Sequence, residues 1–385
     1  MRLAVVTSLH PLPARPFEGL FAARRWSEMR ARGHAVRVIH PLPLAPPLAR
    51  GAWAEIGASP RREVRAGVPI ERPRYFHVPG RVRANARAFA RAAWRALQRG
   101  DSPEVVVLDY AWPAGALAPL LAAARVPCLV HGRGSDVLEV AADEDLRDEL
   151  ARALVAAGHW TAVSAHLVRA MDELAGRARG RLVPNGVDLG IFRVRERARS
   201  RARLGLAPAG ALVLVVGHWI PRKDPLLALE VFARGAPAGA RLAFVGRGPL
   251  RGALEERIRA LGLTGRVDLV REVPPETLAE WYGAADLLLL TSHREGRPNV
   301  VLEALASGRP VLATDAGGTG ELLRPFREGS LASSRDAGEL ARRLAECLAH
   351  PPAPEELRRA AEPFSLERSL EALEEVLREV AADRK

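Results

Sequence analysis

Short apolar runs recur along the first half of the chain, at Leu3–Thr7, Val36–His40, Glu104–Leu108, Pro127–Val130 and Trp160–Val163. They lack polar alternation, which is how strands buried on both faces read, and helical stretches separate them. A helix is expected over Leu20–Ala31, ended by Gly33. The rhythm restarts at Ala211–Gly217 and continues through Arg241–Val245, Val267–Val270, Asp286–Thr291 and Pro310–Thr314. Helices are expected over Asp224–Arg234, Pro249–Leu261, Pro275–Tyr282 and Pro298–Ser307. The pattern predicts an α/β fold with two doubly wound parallel sheets in tandem. The changeover falls in Asn185–Arg201, where a glycine-containing turn gives way to a charged run. Leu366, Leu370, Leu373, Leu377 and Val380 sit at helical spacing within Pro363–Lys385, which reads as a packing helix. The proline-rich loop His40–Pro47 has no regular pattern and is a candidate border for an acceptor site.

A length of 385 residues exceeds one ordinary core and fits two domains. The two cysteines, Cys128 and Cys347, are far apart and lack metal-ligand spacing, which points to a reducing compartment without a disulfide framework. The apolar start is too short for a signal peptide, and no apolar run reaches membrane-spanning length. The expected location is the cytoplasm, or the inner face of a membrane as a peripheral protein. The net charge of +12 is uneven: residues 1–195 hold 29 arginines against 18 carboxylates, whereas the rest of the chain is nearly balanced. Arg87, Arg91, Arg95 and Arg99 recur every four residues within Arg81–Arg99. That stretch reads equally as a helix on an anionic membrane or as a sheet-packed helix with its arginines in water. Nucleic acid is not an expected partner, because stacking aromatics are not interleaved with the basic residues.

The densest chemistry lies in Arg294–Pro310, where Glu295 and Glu303 stand eight positions apart across a turn opening into a helix. Pro298 suits the first helical turn, Gly308 stops the helix, and the amides of Asn299 and Val300 form a phosphate-ready helix start. Ligands of open α/β sheets bind at the strands' carboxyl edge, so Glu295 and Glu303 are candidates for binding hydroxyls there. Gly217 ends the first strand of the second half, and His218, Arg222 and Lys223 follow it. Fixed cations at that place would stabilise a departing diphosphate. In the first half, His131 follows a strand and can orient a reacting group, while Gly19 lets backbone approach a phosphate. Asp143-Glu144-Asp145 has a metal-binding spacing but sits in an acidic helical stretch, so it reads as a solvated face. Gly246-Arg247-Gly248 lacks the third glycine of a dinucleotide fingerprint.

Together these motifs resemble the retaining glycosyltransferases of family 4, the group 1 glycosyltransferases with GT-B architecture. The resemblance runs through His131-Gly132 with Asp136, Val183–Asp188, Arg222-Lys223, Phe244–Pro249, the Glu295 to Glu303 block and Thr314–Gly318. It implies two Rossmann-like domains with a cleft between them. These would be an acceptor-binding domain over 1–190, a nucleotide-sugar domain over 191–364, and a helix at 365–385 crossing back. It further implies transfer of a sugar from a nucleotide-diphosphate sugar to an acceptor hydroxyl of a glycan, glycolipid or small molecule, as in cell-envelope polysaccharide synthesis, without a metal or other cofactor. Glu303 would bind the ribose hydroxyls and Glu295 the donor sugar, with amides of Gly296, Asn299 and Val300 nearby. Lys223 and Arg222 would hold the diphosphate, Gly19, Gly217 and Gly246 would line the donor, and His131 would lie near the reacting centre. Two positions depart from the family: His218 stands where arginine is frequent, and Arg271-Glu272 where glycine is usual. A sugar-nucleotide epimerase of the same fold, or a non-catalytic sugar-nucleotide or membrane-surface binding protein, remains the alternative reading.

Overall fold

The computed structural model describes residues 1–46, 48–326 and 330–383. Pro47 of the proline-rich loop and the last two residues of the C-terminal stretch lie outside them. The chain divides into two compact units, one comprising Met1–Pro184 with the segment from Ser369 onward, the other Asn185–Arg368.

The first unit is built on a sheet of β1 (Arg2–Thr7), β2 (Ala35–Ile39), β4 (Arg62–Arg65), β5 (Val68–Glu71), β7 (Val105–Asp109), β8 (Cys128–Gly132), β9 (Trp160–Ala162) and β10 (Arg181–Leu182). Their spatial order is β10-β9-β8-β7-β1-β2-β5-β4. All pairs are parallel except the β4–β5 hairpin. That hairpin turns through Ala66 and Gly67, both at positive φ, the geometry that lets strands reverse in two residues. The short strands β3 (Leu42–Pro43) and β6 (Arg74–Tyr75) pair separately, giving the proline-rich loop an anchor that its sequence does not signal. Helix Val82–Leu97 buries Ala86, Phe89, Ala90, Ala93, Ala96 and Leu97 and turns its arginines outward. Of the two readings of this segment, the sheet-packed helix describes its apolar face. The C-terminal helix Leu366–Ala382 follows a short turn at Glu362–Phe364 and buries Leu370, Leu373, Val376, Leu377 and Val380. Its Glu374 pairs with Arg32 and His34 of the first unit.

The second unit holds β11 (Leu212–Val216), β12 (Arg241–Val245), β13 (Val267–Val270), β14 (Leu287–Leu290), β15 (Val311–Thr314) and β16 (Leu331–Ala332), in the order β13-β12-β11-β14-β15-β16 and all parallel. Alternate strand residues feed two cores: Leu212, Leu214, Val216, Leu288 and Leu290 enter one, and Val213, Val215, Leu287 and Leu289 the other. A sheet buried on both faces explains the unbroken apolar runs. In each unit the strand order reverses beside the first strand, between β1 and β7 and between β11 and β14. Loops leaving those strands diverge there and leave a crevice at the sheet's carboxyl edge. No helix among the described residues is long and apolar enough to cross a membrane.

Candidate functional site

Three loops meet at the carboxyl edge of the second sheet. The first leaves β11 at Gly217, whose φ of 137° and amide bond to the Val245 carbonyl (3.0 Å) start a sharp turn. Gly246 ends β12 directly beside it, and a Cβ there would lie 1.9 Å from the Gly217 carbonyl oxygen. Close backbone approach therefore requires glycine at 246, whereas at 217 the space is open and it is the positive φ that favours glycine. His218 projects half-exposed from the turn, with Nε2 3.3 Å from Glu272 Oε1, while Arg247 Nε lies 2.9 Å from Glu272 Oε2. The two departures from the family pattern are therefore one cluster. Burial works to raise the Glu272 carboxyl, but hydrogen bonding from His218 and the charge of Arg247 hold it below its ordinary value.

Arg222 and Lys223 lie in a short turn, Pro221–Lys223, ahead of helix Pro225–Gly235. Asp224, at positive φ, caps that helix through the Leu227 amide. The second loop leaves β14, and Arg335 ties it to the first: its guanidinium donates to Asp224 Oδ2 (2.5 Å) and to the carbonyls of Thr291 (2.9 Å) and Ser292 (3.0 Å). Arg222 donates to the Arg294 carbonyl at 3.2 Å. Lys223 Nζ forms an ion pair with Glu295 Oε1, which also accepts from Ser292 Oγ at 2.6 Å. Glu295 is 6% exposed. The third loop, after β15, closes over it: the Gly318 amide lies 3.3 Å from the Glu295 carbonyl, and a Cβ on Gly317 would meet that oxygen at 2.2 Å.

Helix Asn299–Ala306 follows, with Pro298 as its cap rather than in its first turn, because ψ of 113° keeps that residue extended. Gly296 is buried in the turn before it. The amides of Asn299 and Val300 precede the first intrahelical donors, and the Asn299 side chain accepts from Asn185 at 2.9 Å. Glu303 accepts from the Tyr282 hydroxyl at 2.9 Å. Part of Glu303 reaches the surface, yet its carboxyl lies deep enough that burial pushes its pKa up to about 7 against the opposing hydrogen bond. The second unit thus gathers Gly217, His218, Arg222, Lys223, Gly246, Glu295, Gly296, Asn299, Val300 and Glu303 around one edge. An ammonium, a buried carboxylate, a deep second carboxyl and a helix start suit a ligand that combines phosphate with hydroxyl groups.

The first unit places Gly19 as the cap of helix Leu20–Ala31 at φ 71°, where a Cβ would come 3.0 Å from the Leu9 side chain. His131 lies within β8, not after it, and is fully buried. Arg25 Nη1 is 2.7 Å from its Nε2, and Thr161 Oγ1 is 2.8 Å from its Nδ1. A guanidinium can only donate, so Nε2 accepts and Nδ1 carries the proton. Burial, reinforced by Arg25 and Arg133, holds this imidazole well below the usual histidine value, hence neutral. Both nitrogens are engaged inside the unit, unlike the ring poised over a reacting group that the sequence suggests.

Beside it, Arg133 grips Asp109 (2.6 and 3.0 Å), whose second oxygen also accepts from Trp26 Nε1 at 2.7 Å. Burial works to raise the Asp109 carboxyl, but Arg133 holds it far below the ordinary range. Asp136 accepts from the amides of Arg133, Gly134 and Ala111, and burial still pushes it up to about 6. Asp143 accepts from the amides of Asp145 and Leu146 and caps a helix. Arg25, Asp109 and Arg335 were not candidates from sequence. Asp109 carries the one available signal, a carboxylate closing an apolar strand at the switch point.

Comparison with known proteins places these motifs. Residues 196–363 match the family described as glycosyl transferases group 1, and residues 24–190 match glycosyltransferase family 4. TuaC of Bacillus subtilis, a glycosyltransferase assigned to teichuronic acid biosynthesis, is 29% identical over 84% of this chain and 83% of its own length. The sucrose-phosphate synthase of Thermosynechococcus elongatus superposes over the whole of both chains with a TM-score of 0.83 at 20% identity. Anabaena HepE, solved with UDP-glucose, superposes with a TM-score of 0.74 at 20% identity, over 98% of this chain and 100% of that one.

Proposed function

We propose that this chain, which belongs to the group 1 glycosyltransferases of family 4 and has their GT-B fold, moves a sugar from a nucleoside-diphosphate sugar to an acceptor hydroxyl. Transfer proceeds with retained configuration and without a metal. The carrying observation is the Lys223–Glu295 pair at the β11/β14 switch point, with Glu303 in the helix that follows the same turn. In this reading the diphosphate takes Lys223 and Arg222, and Glu295 is released to accept hydroxyls of the donor sugar. Glu303 accepts from the ribose, and its raised pKa makes it a carboxyl that gains on ionising against hydroxyl donors. HepE binds UDP-glucose, which supports a uridine nucleotide as the first donor to try.

The acceptor oxygen attacks the anomeric carbon on the face from which the diphosphate departs. The carbon–oxygen bond to the diphosphate breaks, and a departing phosphate oxygen takes the acceptor's proton. Lys223 stabilises the charge that accumulates there. His131 would have to exchange its Arg25 contact for one to the sugar to act directly. The acceptor is assigned to a cavity of about 210 Å³ in the first unit, lined by His10, His40, Ile56, Tyr75 and Phe89 among others. TuaC's assignment to teichuronic acid biosynthesis makes a cell-envelope glycan the acceptor class to test. Titration calorimetry with UDP-glucose and other nucleotide sugars, then product analysis with acceptor present, tests the reading. Glu303→Ala should lose donor binding and transfer together; full activity in that variant would sink the assignment.

A further inference from the structure

Another cleft in the first unit, of about 520 Å³, is lined by Arg61, Arg62, Arg72, Arg74, Arg95 and Arg99, with Glu71 the one carboxylate among its lining residues. The walls are the start of the β4–β5 hairpin, the segment from β5 into β6, and the last turns of helix Val82–Leu97. The exposed face of that helix carries arginine every fourth residue, and Arg95 and Arg99 are the two that reach the cleft.

The cations there exceed the protein's means of neutralising them. Arg72 is fully buried and committed to Glu63 (2.6 Å) and to the carbonyls of Pro11 and Pro60. Glu71 is shared between Arg99 at 2.6 Å and Arg62 at 3.9 Å. Arg61 and Arg95 have no ion pair among the described residues. Arg74 donates one nitrogen to the Ser59 carbonyl, while its Nη1 is buried without a partner. Burial, followed by the like charges of Arg61 and Arg72, lowers the proton affinity of Arg74, a sign of guanidinium groups crowded without an anion. Planar guanidinium forks match phosphate oxygens, and convergent charges favour an anion bearing more than one negative charge.

We propose that this cleft binds a diphosphate or similarly multivalent phosphate group. The site lies on the first unit and does not rest on the transfer reaction. Its volume admits the phosphates and part of the molecule that carries them.

The test uses the full chain carrying Arg222→Ala/Lys223→Ala, which removes the other proposed diphosphate contacts. Calorimetry with inorganic pyrophosphate reads a soluble ligand, and co-sedimentation with phosphatidylcholine vesicles, with or without phosphatidic acid, whose phosphomonoester can carry two charges, reads a lipid headgroup. Arg95→Ala/Arg99→Ala should weaken binding about tenfold, and Arg61→Ala/Arg62→Ala on the opposite wall should do the same. Arg87→Ala/Arg91→Ala, the same charge change on the same helix outside the cleft, should leave binding as it was. This pattern with pyrophosphate assigns a soluble phosphate, and with anionic vesicles alone a headgroup. Absence of binding to either, no loss in the cleft variants, or equal loss in all three double variants overturns the proposal.

Discussion

The carboxyl edges of the two sheets occupy equivalent places in equivalent folds, yet they use polar residues in opposite ways. At the first edge the charges are spent inside the protein: Asp109 is held by Arg133 and Trp26, and His131 by Arg25 and Thr161, all buried. At the second edge His218 and Arg222 reach solvent, and among the described residues Lys223 meets a single carboxylate and the Glu303 carboxyl accepts from a tyrosine hydroxyl. The first edge is an internal brace, and the second keeps its charged groups nearer solvent, as the proposed exchange of partners with a donor requires. A charged residue at a switch point therefore marks a binding site only when its partners can be traded for a ligand's groups.

This contrast can be broken most sharply at Asp109. Asp109→Ala leaves the buried Arg133 without its carboxylate and should cost about 3–5 kcal/mol, read as a lower midpoint in denaturant unfolding. A midpoint within error of the parent would show that the first edge is not a brace. Lys223→Ala should act mainly on catalysis, lowering kcat for transfer by about a hundredfold or more, with a smaller fall in the unfolding midpoint than Asp109→Ala because Ser292 still donates to Glu295.

A smaller effect separates the edges by pH. Glu303 titrates near 7 in the folded protein against 4.5 as its ordinary value, so the folded state holds the extra proton in that window. Stability from this group is present below the unfolded value and is lost as pH rises through about 7. Glu303→Gln should flatten that part of the Tm profile, and an unchanged slope would contradict the burial assigned to this carboxyl. The smallest change is expected from His218→Arg. The arginine can keep the Glu272 contact, so stability should move by less than about 1 kcal/mol. Nucleotide affinity should rise with it, and a fall in calorimetric titration would mean that histidine is specifically required.

The sequence carries the frame of both sheets because strands buried on two faces write themselves as unbroken apolar runs. Leu212–Val216 and Val105–Asp109 are of this kind. The β4–β5 hairpin is less legible, since its turn uses Ala66 and Gly67 rather than an Asn-Gly pair. The two-residue strands β3 and β6 are too short for any periodicity. Among site residues, Glu295 and Glu303 are legible through their spacing and the helix start. Arg335 is not, because it reaches Asp224 from 111 positions away, and no local pattern encodes such a contact. His131 shows the opposite limit. Its position is readable, but the direction of its ring depends on Arg25, a residue on helix Leu20–Ala31.

The Lys223–Glu295 ion pair has a consequence for affinity itself. A site that neutralises its own charges makes ligand capture an exchange reaction, in which each new contact is credited only with its advantage over the contact it replaces. A nucleoside diphosphate without a sugar would take Lys223 and leave buried Glu295 with the Ser292 hydroxyl but without its cation. A complete donor would satisfy both. The pair would then discriminate against the spent nucleotide, favouring its release after transfer, through a cost that the protein imposes on half-occupied states.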